Sequence, residues 1–238
     1  MVATLINAGL ILLGSLIGLL FKNRISTRFS VVITQGLSLC VLGIGISNVL
    51  KTDDTLCVII CMVVGTLLGE ALKIEERLDG AGELLRRKLI HDDGNSRFTE
   101  GFVTTTLIYC IGAMSITGSI EAGLNHNYSI LVSKGVIDGV SSISFAAAMG
   151  VGVAFSVLPL TIYQGAITLL ATVVGPYLSD AVIAAMSGVG GAIIMGLGIN
   201  MLGLAKTKIK VGNMLPAIFL PIAYIPFVDL LGRFVPGG

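Results

Sequence analysis

Charge is what this chain has least of. Only 12% of its 238 residues are Asp, Glu, Lys or Arg, about half the share usual in a soluble domain. That excludes a water-facing surface over most of the molecule. A net charge of +1 supplies no basic footprint for nucleic acid, so no nucleic-acid partner is expected. Tryptophan is absent. Aromatic anchoring at a membrane interface therefore falls to Tyr109, Tyr128, Tyr163, Tyr177 and Tyr224.

Reactive groups are equally sparse. His91 and His126 lie in loops with no partner spacing for a metal. All four cysteines sit in apolar segments, and Cys57 and Cys61, one helical turn apart, have no histidine beside them. They read as small buried hydrophobes rather than a metal site or a disulfide. No nucleophile–base pair, phosphate loop or ligand cluster is visible, so neither an enzyme nor a cofactor is expected. The first residues carry no basic n-region and no clear cleavage site. The first apolar run is thus expected to persist as a helix.

What is present is apolar. Hydrophobic residues make up 54% of the chain, with a mean hydropathy of +0.96, and several long runs have no charge at all. Such runs suit helices crossing a hydrocarbon core of about 30 Å. Eight spans are expected: Leu5–Phe21, Val31–Leu50, Thr55–Leu72, Phe102–Ile120, Ser129–Ala148, Val153–Val174, Ala181–Leu204 and Met214–Leu231. The count falls to seven if the fifth is re-entrant. The sixth is expected to break at Pro159. Between the third and fourth, Ile74, Leu78, Ala81, Leu85 and Leu89 recur at helical spacing among charges. That pattern predicts an amphipathic helix at the membrane surface, followed by a polar loop to Arg97.

With eight spans, twelve of the fifteen basic residues fall on one side. They are Lys22, Arg24, Arg28, the six between Lys73 and Arg97, and Lys206, Lys208 and Lys210. The positive-inside bias makes that side cytoplasmic and both termini extracytoplasmic.

The chain also looks like two similar halves. Gly43-Ile-Gly45-Ile-Ser-Asn48 in the second span parallels Gly196-Leu-Gly198-Ile-Asn200 in the seventh. Spans one to three then resemble spans six to eight, running in the opposite sense. Inverted repeats of this kind hold a midplane substrate on discontinuous helices in many secondary transporters. The expected organisation is one membrane domain, 1–238. It comprises repeat A (4–72), an amphipathic cytoplasmic helix and loop (73–97), central helices (98–150) and repeat B (151–231).

Between the repeats, Tyr109–Gly123 will not make a quiet helix. Gly112, Gly118 and Gly123 loosen it, and Ser115, Thr117 and Ser119 bring hydroxyls where water is scarce. Loosened backbone in a bilayer survives only inside protein or along a cavity, although small residues also serve plain helix packing. Asp138 is the most informative single residue. It lies about 13 Å into the fifth span, where an ionisable group marks a pathway or relay by default. Lys134, one turn earlier, is either its fixed partner or snorkels outward. Gln164, Asn48 and Asn200 complete the candidate ligand set with Asp138, Ser115, Thr117 and Ser119. The motifs Gly14-x-x-x-Gly18 and Gly65-x-x-x-Gly69 are close-packing faces, expected to include a homodimer interface.

Several of these motifs resemble one family. They are Asn7-Ala-Gly9 with Gly14 and Gly18, Gly65-x-x-x-Gly69-Glu70, and Tyr109-Cys-Ile-Gly-Ala-Met. Further along come Lys134-Gly-x-x-Asp138-Gly, Leu158-Pro with Tyr163-Gln164-Gly165, and Asn213-Met-Leu-Pro216. Together they resemble the YqgA/YdfK family of bacterial inner-membrane proteins, a domain of unknown function. The resemblance implies the bacterial inner membrane as compartment and implies no activity. The expected fold is all-α, a polytopic helix bundle with an inverted 3+3 repeat. The expected function is secondary transport of a small solute, coupled to protons or sodium. The alternatives are a channel, or a structural or regulatory membrane partner.

Overall fold

The computed structural model describes residues 1–22, 27–89, 97–204 and 206–234; Arg24 and most of the expected polar loop after Leu89 lie outside them. Among the described residues the secondary structure is entirely helical. The helices are α1 (Val2–Lys22), α2 (Thr27–Val49), α3 (Thr55–Ala71), α4 (Ile74–Leu89), α5 (Phe98–Cys110), α6 (Ala113–Leu124), α7 (Ser129–Met149), α8 (Gly152–Phe155), α9 (Val157–Leu169), α10 (Ala171–Val174), α11 (Asp180–Leu202) and α12 (Pro221–Phe234). A 3-10 turn, Gly175–Tyr177, precedes α11, and a longer 3-10 helix, Val211–Phe219, precedes α12.

Five of these stretches are long and apolar enough to cross a membrane, or up to eight if each bent pair forms one span. α7 is a single unbroken helix of 21 residues, long enough to cross rather than re-enter. Large apolar side chains such as Leu13, Leu16, Leu20, Ile59, Val63 and Leu67 face outward. In lipid that surface needs no cover, because the solvent is as apolar as the side chains.

Glycine sets the helix pairing. A Cβ on Gly14 would lie 1.9 Å from the Gly139 carbonyl oxygen, and one on Gly18 would lie 2.2 Å from that of Ile143. α1 and α7 therefore run side by side in the same direction, backbone to backbone. On α3, Cβ atoms at Gly65 and Gly69 would meet the Ala217 Cα at 2.3 Å and the Asn213 carbonyl oxygen at 1.8 Å. Both close-packing motifs are thus consumed within the chain. The expectation that one of them joins two copies is corrected: neither face is free. α2 and α11 pair antiparallel through Gly45, Gly191 and Gly198.

These contacts sort the chain ends into two poles. Lys22 stands beside Gly150, the Phe98 carbonyl beside Gly152, and Asn213 beside Gly69. That basic pole also holds Lys208 and Lys210, paired with Glu75 and Glu70 at 2.8 Å each. At the opposite pole Thr52 packs on Gly188, and Leu124 on Gly175.

Three local expectations change. The break in the sixth span falls at Ser156 and Leu170, not at Pro159. Pro159 sits in the first turn of α9, where a missing N–H costs nothing. The eighth span begins as a 3-10 helix with Pro216 inside it and continues as α12 from Pro221, because each proline removes a donor from the ladder. On α4, Glu75 and Gly82 are buried while Ala81 is exposed. Gly82 lies against Thr99 and Phe102 of α5, Leu78 against Gly212, and Leu85 against the core, so the helix docks on protein through part of its apolar stripe together with Glu75 and Gly82.

Asn213 fixes that docking. Its carbonyl side-chain oxygen accepts from the Glu75 backbone N–H at 2.7 Å, and its amide donates to Glu70 at 2.6 Å. Glu75 in turn accepts from the Gly212 N–H at 2.6 Å. Asn213 and Glu70 stand in two of the motifs that carry the family resemblance, and here they meet.

Candidate functional site

α5 ends at Cys110, and α6 starts at Ala113 with its axis turned by 61°. The turn is made at Gly112, whose φ of 128° and ψ of 152° suit a residue without Cβ. Ser115, in the first turn of α6, donates to the Tyr109 carbonyl at 3.3 Å across the break. Its oxygen accepts from the Gln164 amide of α9 at 3.0 Å. Asn7 of α1 donates to the Gln164 carbonyl at 3.2 Å. One hydroxyl and two amides thus tie three helices at the point where the backbone is loosest. Ser115 and Gln164 are fully buried, as is Asn7. The Asn7 side-chain oxygen has no hydrogen-bond partner among the described residues.

Asp138 lies on the neighbouring wall. Its carboxylate accepts a hydrogen bond from Lys134, and each residue is only 6% exposed. In this conformation Lys134 is therefore the partner of Asp138 and does not snorkel outward. The lysine also stands 5.9 Å from the Tyr109 ring centroid, within range of a cation–π contact. The Tyr109 hydroxyl pairs with Ser142 at 2.8 Å, and Ser142 donates to the Asp138 carbonyl at 2.7 Å. Burying two charges costs several kcal/mol per ion, and close pairing offsets that only when neighbouring polar groups are satisfied too. Here Tyr109 and Ser142 hold the α7 backbone that presents the pair.

Lys134, Asp138 and Ser115 share a cavity of ≈ 570 Å³ between α2, the α5–α6 break and α7. Asn48 and Lys51 line it from the far end of α2, with the lysine donating to Asn48 at 2.7 Å. Ile44, Ile137 and Phe145 supply apolar walls. The volume is in the range of small-molecule pockets.

Of the seven expected ligands, Asp138, Ser115 and Asn48 line this cavity. Gln164 braces Ser115 from behind without reaching it. Three do not join. Thr117 points into a shallow groove with Ser129 and Ser133. Ser119 donates to the Ser115 carbonyl at 2.7 Å, which occupies its hydroxyl on its own helix. Asn200 lies at the basic pole, where it exchanges two 2.8 Å hydrogen bonds with the Ile209 backbone and pins the connection after α11. The shared cavity expected for Thr117, Ser119 and Gln164 is corrected accordingly. A helix of one residue every 100° sends i and i+2 to different sides, so Ser115 and Thr117 cannot face one site.

Asn200 instead lines a second cavity of ≈ 380 Å³ with Asp79, Glu100, Thr104, Leu197 and Lys208. Burial pulls the Lys208 ammonium down, but its hydrogen bond to Glu75 and the charges of Glu75, Asp79 and Glu100 outweigh that and raise it above the usual lysine range. Cys57 and Cys61 face each other with sulfurs 3.8 Å apart. Among the described residues no group of three or more His, Cys, Asp or Glu stands ready for a metal ion.

The sequence reading missed Asn7, Tyr109 and Lys51 as site members. Asn7 carried a signal, as a lone amide in an apolar run. Lys51 did not, because a loop lysine at a helix end looks like any interfacial charge.

Comparison with known proteins adds relatives. A family model described as "Protein of unknown function (DUF554)" matches residues 2–225. The "Uncharacterized membrane protein YdfK" of Bacillus subtilis (strain 168) is 30% identical over 236 residues, covering 98% of this chain and 99% of the relative. The "Uncharacterized protein YqgA" of Escherichia coli (strain K12) is 28% identical over 218 residues, covering 90% and 92%. No solved structure matches the chain.

Proposed function

The chain belongs to the DUF554 family, and from that premise we propose that it is a secondary transporter of a small solute in the bacterial inner membrane. The observation that carries the proposal is the buried Lys134–Asp138 pair lining a ≈ 570 Å³ cavity beside the α5–α6 break. Charged groups are costly at membrane depth and mark substrate or ion pathways by default. Interrupted helices beside a polar site are the recurrent apparatus of secondary transporters. Coupling to protons or sodium runs through Asp138: its carboxylate exchanges Lys134 for the coupling ion during the cycle. The basic pole faces the cytoplasm and both termini face out, by the positive-inside bias.

An inverted repeat underlies the bundle in this reading. Two pairs of contacts support it. Laying Gly43 on Gly196 and Gly45 on Gly198 turns the Gly45–Met195 contact into the Leu42–Gly198 contact. The same exchange turns Gly45–Gly191 into Ser38–Gly198. Any antiparallel crossing carries a local two-fold of this kind; the repeat reading extends it from α2 and α11 to the flanking helices. A homodimer, in the same reading, uses the apolar flanks, since both glycine faces are occupied within the chain.

Uptake by proteoliposomes across a panel of small solutes, with and without proton and sodium gradients, tests the proposal. Gradient-driven uptake that Asp138→Asn abolishes is the expected result. Uptake that survives Asp138→Asn unchanged, or runs at channel rates without a gradient, rejects it.

A further inference from the structure

The ≈ 380 Å³ cavity at the basic pole plays no part in the site around Asp138. We infer that it is the second vestibule of one solute path, the counterpart of the ≈ 570 Å³ cavity at the other pole, and that a thin apolar septum between them is the gate. The inference rests on the transport reading and deepens it.

Three observations carry it. First, the two cavities use matching places of α2 and α11. Ile44, Ser47 and Asn48 line one, and Leu197, Asn200 and Met201 line the other. Laying Gly43 on Gly196 superposes these trios residue for residue. Each trio occupies one helix face at i, i+3 and i+4, close to the C-terminal end of its helix, and those ends lie at opposite poles.

Second, one stripe of α5 serves both cavities. Glu100 and Thr104 line the basic-pole cavity, while Ile108 and Gly112 line the other. Steps of four residues keep these positions on one side of the helix, running into the break. Thr104 and Ile108 are one turn apart, about 6 Å along the axis. The barrier is therefore a single helical turn thick.

Third, the barrier is apolar where both approaches are polar. Val103 and Leu197 bound it below, and Ile44, Ile108 and Phe145 bound it above. Glu100 and Lys208 flank one approach, Lys51 and Asp138 the other. A hydrophobic constriction between wet vestibules closes by dewetting. Rocking of one repeat against the other would move it from one side of the solute to the other.

A membrane-impermeant methanethiosulfonate reagent on oriented vesicles tests the path. Ser47→Cys and Thr104→Cys are made singly, with Cys40 and Cys110 replaced by Ala and folding checked by monodisperse elution. Thr104→Cys is expected to react only from the basic pole, and Ser47→Cys only from the opposite pole. Adding Leu197→Trp, which fills the basic-pole cavity, is expected to raise the Ser47→Cys labelling rate severalfold. If Thr104→Cys fails to elute cleanly, Glu100→Cys at the same mouth replaces it. Labelling of both sites from one side overturns the inference. So does an unchanged Ser47→Cys rate with Leu197→Trp. Uptake by the parent protein is measured alongside. Uptake with the wrong sidedness rejects the two-vestibule path alone; correct sidedness without uptake of any solute rejects the transport reading beneath it.

Discussion

The amide of Gln164 donates to the hydroxyl of Ser115 across 3.0 Å, joining α9 to the first turn of α6 where the α5–α6 backbone is broken. Neither residue is charged, and neither alone suggests more than helix packing. Together with Asn7 they hold the wall against which Asp138 and Lys134 are set. Gln164→Leu leaves the Ser115 oxygen without that donor and removes one acceptor of the Asn7 amide, which also hydrogen-bonds Asp138. A buried polar group stranded in this way costs about 1–3 kcal/mol. A clear fall in melting temperature in detergent is expected, with Gln164→Glu at least as damaging.

Lys134 and Asp138 form a pair whose members cannot be removed singly without leaving a buried charge. Lys134→Ala is expected to destabilise by about 3–5 kcal/mol. The double variant Lys134→Met with Asp138→Leu removes both charges and is expected to regain most of that stability. Thermal unfolding of the three proteins reads this directly. A double variant no more stable than Lys134→Ala would show that the pair contributes more than charge cancellation.

Gly14 and Gly9 share a helix and differ in what surrounds them. A Cβ on Gly14 would lie 1.9 Å from the Gly139 carbonyl oxygen, whereas one on Gly9 meets nothing within 4 Å among the described residues. Gly14→Leu is expected to prevent α1 from seating on α7, giving aggregated protein. Gly9→Leu is expected to yield a normal elution profile. Equal behaviour of the two would mean that the α1–α7 contact does not hold the bundle.

Gly112 separates backbone strain from crowding. Among the described residues only Asn48 comes near a Cβ there, at 3.9 Å, but φ is +128°. Gly112→Ala therefore meets space but not an allowed conformation. Strain of that kind costs about 1–3 kcal/mol, to be seen as a lower melting temperature. An unchanged melting point would mean that the break relaxes without cost.

Glu83 on α4 offers a pH test outside the membrane. Hydrogen bonds from Arg86 and Arg87 lower its carboxyl to about 2, below the ordinary value of about 4.3. A group with a depressed folded value adds stability above its unfolded value and loses it as pH falls through the folded one. The difference between the parent protein and Glu83→Gln is expected to be constant above about pH 5 and to vanish towards pH 2. Amide exchange within α4 across that range measures it. The difference should be small and salt-sensitive, because the pair is near solvent.

Which helices exist was legible from runs of apolar residues, because hydrophobic length is a property of the chain itself. The observed ends differ from the expected ones by a few residues, as for α1, which extends from Val2 to Lys22. The break near Gly112 was legible as well, since glycines with hydroxyls inside an apolar run weaken a helix wherever it packs. Asp138 was legible as a charge inside an apolar run, and the structure buries it.

The membrane class, the succession of runs, the weak point at Gly112 and the charged residue at Asp138 were readable along the chain. Each follows from composition or from spacing along one helix. The packed fold is what turns Lys134 to Asp138 and spends the close-packing faces of Gly14 and Gly69 on Gly139 and Asn213. It also brings Ser115 to Gln164 while Thr117 and Asn200 are turned or carried elsewhere. Those outcomes depend on the rotation of each helix about its axis and on partners far away in the chain, which no local pattern encodes.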